Sequence, residues 1–312
     1  MAFSSYDISY WLRRRLGLTE VRREKLSLAI GRFMEVTLAV LRHRMGGVGV
    51  AILVFFVFLA LSAPFLPLLP PDQLNLNEVY EGPTWKHPFG TDNLGRDVLS
   101  RTVWGTQLSL IVGFVSSIIA GVLGTLIGLA SGYWADWRDE ALMRFNDILL
   151  SLPWLVLLIV VSAILGQLTT PVIILAIGLT SWSFTARVVR AQVLSVKERV
   201  FVERARAAGS GTFHIVWKHI FPNVFPLVFA NTILTVAVAI LSESALAYLG
   251  RVDKSNLSWG VVLSEADQAG ALLNGLWAWI VMPGLALVFV VLGFSLLGYA
   301  LDEILNPKLR ER

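Results

Sequence analysis

Which side chains of this 312-residue chain could do chemistry is limited first by what it lacks: it has four histidines and no cysteine. Without cysteine neither a disulfide nor a thiolate metal site can form. His43, His87, His214 and His219 show no metal-ligand pairing, and no carboxylate pair or nucleophile triad stands out, so no catalytic residue and no metal ligand is assigned. There is no G-x-x-x-x-G-K-[ST] loop to cradle nucleotide phosphates. Two places remain. Glu243 sits near one end of a long uncharged run, and an ionisable residue there is a functional candidate, either lining a pathway or binding a backbone group at a helix end. The second is the polar stretch RVVRAQVLSVKERVFVERARAAGSGTFHIVWKHIFP, Arg187 to Pro222.

That stretch reads as a helix, a turn and a second helix. Ser195 followed by Glu198 fits a capping box, so a helix is expected to begin there. Val196, Val200, Phe201, Ala205 and Ala208 fall on one apolar stripe. Gly209 adopts positive φ readily and stops the helix. Ser210, Gly211 and Thr212 form the turn, with Thr212 capping the next helix, which Pro222 and Asn223 end. The small residues would let a partner backbone approach closely. Such an element is either a docking site or an amphipathic connector.

The elements that hold these residues follow from composition. The chain is 55% hydrophobic and 15% charged, against roughly 25% charged in a soluble domain. Its charges cluster between long uncharged gaps. A helix needs about 20 apolar residues to cross the hydrocarbon layer, and a central Asp, Lys or Arg costs about 2.5–3.5 kcal/mol there. Charges therefore delimit six expected spans, at about 46–69, 105–133, 145–165, 171–193, 223–249 and 277–301. The third and fourth are separated by GQLTTP, Gly166 to Pro171. The fold class is an all-α membrane protein. The runs lack the alternation of a β-barrel, and the first span is too long and starts too late for a cleaved signal peptide.

With six spans both termini share a side. The opposite side receives Lys86, Arg96, Arg101, Arg251 and Lys254, and every other Lys and Arg falls with the termini. That bias places the termini in the cytoplasm. The net charge of +4 thus marks cytoplasmic flanks, and no nucleic acid is expected as a partner. Residues 1–45 form a basic arm, either lying on anionic lipid or solvated. Residues 70–104 form a polar outer segment able to contact a soluble partner. Arg144 and Asp147 read as interfacial anchors.

VERARAAG followed by HIFPN resembles the EAA motif of ABC-importer permeases, which in the peptide-type branch runs close to VEAARALG, then HILPN. Glu203, Ala205, Arg206, Ala207, Gly209, His219, Ile220, Pro222 and Asn223 fall on matching positions. Arg204 stands where Ala is usual, and Ala208 and Phe221 stand where Leu is usual. Further runs resemble the second membrane subunit of dipeptide and oligopeptide permeases: HPFGTDNLGRDVLSR (His87 to Arg101), DEALMRFNDILLSLPWLVL (Asp139 to Leu157), ARVVRAQVLSVKER (Ala186 to Arg199), LSESALAYLG (Leu241 to Gly250), SWG (Ser258 to Gly260) and MPGLALVFVVLGFSLLGYALDEILNPKL (Met282 to Leu309). The resemblance covers roughly Val48 to Leu309. RVDKSNL (Arg251 to Leu257) is shorter than the family's usual stretch.

The resemblance implies a type I ABC-importer permease fold with a cytoplasmic coupling loop over 195–222. It implies a second homologous permease subunit, two ATP-binding subunits carrying ATP and Mg, and an extracytoplasmic substrate-binding protein. This chain would bind no cofactor itself. Glu203, Ala205, Arg206, Ala207, Gly209 and Pro222 would couple to the ATPase, and Glu243 is the candidate pathway residue. Dipeptides and oligopeptides are the implied cargo, with oligosaccharides and nickel carried by similar permeases. A stand-alone secondary transporter would carry charges or broken helices at mid-bilayer, and a membrane-embedded enzyme would need convergent polar groups inside the spans.

Overall fold

The computed structural model describes residue 31 and residues 34–253 and 255–305. Most of the basic arm, Lys254 and the last basic residues lie outside the described residues. Everything regular among the described residues is helical, with two isolated bridges, Thr91 to Asp97 and Leu168 to Val252. Among the described residues five helices are long and apolar enough to cross a membrane, and one bent pair supplies a sixth segment.

Helix α1 (Arg44–Ser62) starts at His43, whose Nδ1 accepts from the Gly46 amide at 3.3 Å, and gives way to a 3-10 turn at Ala63–Phe65 that contains Pro64. Helix α2 (Val98–Trp134) has 37 residues, about 55 Å of rise, and so extends beyond the hydrocarbon layer. Asp97 caps it, accepting from the Ser100 amide at 2.7 Å. Helix α3 (Trp137–Ser151) and helix α4 (Trp154–Leu165) follow, then α5 (Thr170–Thr180) and α6 (Trp182–Lys197), the last two together forming one span. Beyond them come α7 (Val200–Ala207), α8 (Thr212–Ile215), a π turn at Val216–Ile220, α9 (Phe221–Tyr248), α10 (Trp259–Gln268) and α11 (Trp277–Leu305).

The bundle closes on α2, whose buried face is lined by Gly and Ser. A Cβ at Gly124 would stand 2.7 Å from the Trp182 carbonyl oxygen, at Gly128 2.7 Å from that of Ala186, and at Gly132 2.9 Å from that of Arg190. Both rows advance four residues at a time, so α2 and α6 lie backbone against backbone along a stripe of small residues, the packing that lipid-embedded helices use. The other face of α2 meets α9, where Gly113 makes room for Ile240 and Gly121 for Thr232. Helix α1 packs on α11, and the imidazole of His43 lies 3.3 Å from the Glu303 carboxylate, which brings the start of α1 beside the end of α11.

Proline behaves differently at two places from what the apolar runs suggest. The expected continuous span 145–165 is two helices meeting at 89°. Pro153 causes the bend: the residue before a proline is pushed out of the helical region, and Leu152 is extended (φ −83, ψ 134). At Pro222 a break is expected and none occurs, because the helical path runs from Thr212 through to Tyr248. The π turn widens the helix just ahead of the proline, with the Phe221 amide donating to the Val216 carbonyl. A turn enlarged in this way accommodates the ring and its missing N–H.

Candidate coupling surface

Helix α7 carries its charges in the order its dipole favours, Glu203 in the first turn and Arg204 and Arg206 in the last. Its inward anchor is Val202, buried with Val193, Val196, Ile215, Ile220 and Val224. This shifts the expected stripe. Val196 is buried, but Val200 (60% exposed), Phe201 and Ala208 face outward, and Ala205 is half-buried. The expected helix start at Ser195 is also displaced: α6 continues to Lys197, Ser195 is exposed within it, and α7 begins after Arg199. Two residues of turn, Glu198 and Arg199, reset the helix axis, so a stripe drawn across 196–208 as one helix comes out in the wrong register.

The end of α7 is a Schellman turn. The Gly209 amide donates to the Arg206 carbonyl at 3.0 Å and the Ser210 amide to the Ala205 carbonyl at 3.1 Å. Gly209 has φ +79, while a Cβ built there would meet nothing within 4 Å. Glycine is therefore required by the backbone angle, and the space beside it is open. Helix α8 starts at Thr212 with Gly211 at its cap position and no side-chain cap, so Thr212 does not play the expected capping role.

Glu203, Arg204, Arg206, Ala207, Gly209 and Pro222 are all exposed at one end of the bundle. Among the described residues the side chains of Glu203, Arg204 and Arg206 make no ion pair or hydrogen bond. Phe213 (77% exposed) and Trp217 add apolar surface beside them. These two are invisible to a motif search but follow from the helical register of α8 once Ile215 is placed inside. The rings of His214 and His219 are 5.7 Å apart, and among the described residues no group of three or more His, Asp or Glu is placed to hold a metal.

Glu243 lies elsewhere, near the far end of α9. It is fully buried, with Oε2 3.3 Å from the Ser244 hydroxyl, and Ser109 of α2 and Ser258 of α10 beside it. Its Oε1 has no hydrogen-bond partner among the described residues. Ser258 caps α10, accepting from the Val261 amide at 3.4 Å, and the Trp259 amide donates to Ser109 at 3.4 Å. Glu243 thus sits where α2, α9 and the start of α10 meet.

The same end holds an ion cluster that the sequence alone does not reveal. Arg96 Nε donates to Asp92 at 2.5 Å and its Nη2 to Glu265 of α10 at 2.9 Å. Arg101, 1% exposed, donates to Glu265 at 2.7 Å and to Asp72 at 3.2 Å. Buried His87 bridges Asp97 (2.8 Å) and Glu78 (3.2 Å), and Lys86 pairs with Glu78. The Lys86 ammonium, and then His87, hold the Glu78 carboxyl below the usual 4.5. These contacts fasten the segment before α2 to α10.

A family model described as binding-protein-dependent transport system inner membrane component matches residues 124–311. The chain is similar to a dipeptide transport system permease protein of Alkalihalophilus pseudofirmus, with 34% identity over 270 residues, 86% of this chain and 88% of the relative. It is equally similar to a dipeptide transport system permease protein of Bacillus subtilis (strain 168), with 34% identity over 86% of this chain and 83% of the relative.

Proposed function

Because this chain belongs to the family of binding-protein-dependent transport system inner membrane components, we propose that it is the permease subunit of an ATP-driven importer moving dipeptides or oligopeptides across the cytoplasmic membrane. The substrate class comes from the relatives named as dipeptide permeases. A second homologous permease subunit completes the pore, two ATP-binding subunits carry ATP and Mg, and an extracytoplasmic binding protein delivers the cargo. This chain catalyses nothing and binds no cofactor. Both termini are cytoplasmic, on the side of the α7 turn.

The observation that carries this reading is the exposed α7–Gly209–α8 turn, whose charges have no partner among the described residues. It docks in a groove of the ATP-binding subunit. Glu203 meets a cationic or hydrogen-bond-donating group there, Arg206 an acceptor, and Ala205 and Ala207 let the backbones approach. Gly209 sets the angle between α7 and the path that follows. That path is continuous past Pro222 to Tyr248, so a displacement of the turn travels as a rigid lever to the level of Glu243. Opening between α2, α9 and α10 would bring Glu243 into the pathway. ATP and the binding protein drive the cycle only through their different affinities for the inward-open and outward-open states.

Peptide uptake into vesicles holding this chain with its partner permease and ATP-binding subunits is expected to require ATP and to stop with vanadate. Uptake that persists without the ATP-binding subunits, driven by an ion gradient, overturns the assignment.

A further inference from the structure

At the end of the bundle opposite the α7 turn, residues 82–88 form a tight loop, GPTWKHP, whose tip carries Trp85. Its indole is fully exposed, and among the described residues it makes no hydrogen bond or ring contact. The loop beneath it is nevertheless fixed. The Thr84 amide donates to the His87 carbonyl at 2.8 Å, the His87 amide returns a bond to the Thr84 hydroxyl at 3.0 Å, and the Gly90 amide donates to the His87 carbonyl at 2.8 Å. Pro83 and Pro88 restrict the chain on either side. The buried His87 imidazole holds Asp97, and Lys86 and His87 both hold Glu78. Asp97 in turn caps α2. The Trp85 loop is thus fastened to the start of a helix that, at Leu129, lies in one apolar cluster with Val202 of α7.

A large apolar side chain held out on a rigid mount has no use inside this chain. Tryptophan buries about 150–250 Å² when it finds a pocket, and it is among the residues on which binding energy concentrates. A mount ordered before binding avoids the entropy loss of fixing it afterwards. The surroundings decide between a membrane surface and a protein. Segments that seek lipid headgroups pair their apolar and aromatic residues with Lys and Arg. Residues 72–97 do the reverse: they carry five carboxylates, Asp72, Glu78, Glu81, Asp92 and Asp97, against two cations, Lys86 and Arg96. Lys86, beside Trp85, is held by Glu78, and among the described residues Glu81 has no ion pair. The same segment exposes Leu74, Leu76 and Tyr80. Apolar side chains set in an acidic surface match a soluble protein that offers an apolar pocket with a cationic rim.

We propose that Trp85 is the anchor by which this chain grips the cargo-binding protein, its indole entering an apolar pocket rimmed by cationic side chains on that partner. The proposal rests on the importer reading and adds the side chain that holds the binding protein. It accounts for a loop that is tied down on every side and yet leaves its largest residue bare. It also gives docking a route inward, because the loop that carries the anchor is bonded through His87 to the cap of α2.

In proteoliposomes holding the complete transporter, ATP hydrolysis is followed as peptide-loaded binding protein is titrated in. Trp85→Ala is expected to raise the half-saturating concentration of binding protein at least about tenfold, a loss of about 1.4 kcal/mol. The rate at saturation and the thermal midpoint of the purified chain should stay near the parent's, since no contact within the chain is lost. Trp85→Phe should recover part of the affinity, and Trp85→Lys, facing a cationic rim, should bind more weakly than Trp85→Ala. The chain contains no cysteine, so a polarity-sensitive dye on Trp85→Cys reports that one position. It should read water in the vesicle and an apolar setting once binding protein is added. A half-saturating concentration for Trp85→Ala equal to the parent's overturns the proposal. So does a dye already in an apolar setting before binding protein is added, which marks a seat in lipid. Parent ATP hydrolysis that the binding protein does not stimulate overturns the importer reading and this proposal together.

Discussion

At the end of the bundle opposite the α7 turn, the outer end in the proposed orientation, Asp92, Arg96, Arg101 and Glu265 are interlocked with hydrogen bonds of 2.5–2.9 Å, and Arg101 is 1% exposed. At the opposite end Glu203, Arg204 and Arg206 stand in the open without a partner among the described residues. Similar side chains serve opposite purposes. Charges satisfied internally fix the segment before α2 to α10 and make one rigid cap. Charges left unsatisfied on a short helix closed by a Schellman turn are available to another subunit. Pairing within the chain separates structure from docking here better than charge density does, since both ends are rich in charge.

The difference is sharpest under substitution. Arg101→Ala leaves Glu265 and Asp92 short of a buried partner, and breaking such a pair costs about 3–5 kcal/mol. A large drop in the thermal midpoint of the purified chain is therefore expected, and a midpoint within a degree of the parent would break the comparison at its outer end. Gly209→Asp forces a side chain into φ +79, a cost of about 1–2 kcal/mol. The chain should still fold, but ATP hydrolysis should be uncoupled from uptake or assembly lost. Normal uptake would remove the turn from the coupling path. Glu78 offers a pH test of the outer end. Its carboxyl is held below its ordinary value by Lys86 and His87, so its contribution to stability is present above about pH 4.5 and disappears as pH falls through its lowered folded-state value. The parent's advantage in thermal midpoint over Glu78→Gln should follow that course, and an advantage that grows on acidification would contradict the pairing. The smallest effect is expected from Arg204→Ala, within about 0.5 kcal/mol on stability yet with weaker retention of the ATP-binding subunits on co-purification.

Much of this was legible in the sequence, and what was not has physical causes. The uncharged gaps located the apolar helices because charge at mid-bilayer is costly, and Gly209 announced its turn because positive φ selects glycine. The two prolines were harder. Pro153 bends the chain because Leu152 before it is extended, while Pro222, between buried Ile220 and Val224, is absorbed by the π turn at Val216–Ile220 just ahead of it. Local sequence does not say which neighbour will yield. The outer cluster joins residues 164 and 169 positions apart, a pairing that only the packing of α10 on α2 creates. The register of α7 depended likewise on the two-residue turn after Lys197, which exchanged Val200 for Val202 at the core.

The central claim is that the α7 turn, and not the outer cap, meets the ATP-binding subunit. The absence of native cysteine permits a direct test with a short thiol-to-amine cross-linker on the assembled transporter. Ala207→Cys should yield a covalent adduct with the ATP-binding subunit, and Asp72→Cys, exposed at the outer end, should yield none. An adduct from Asp72→Cys, or none from Ala207→Cys in a complex that still hydrolyses ATP and takes up peptide, would contradict the account.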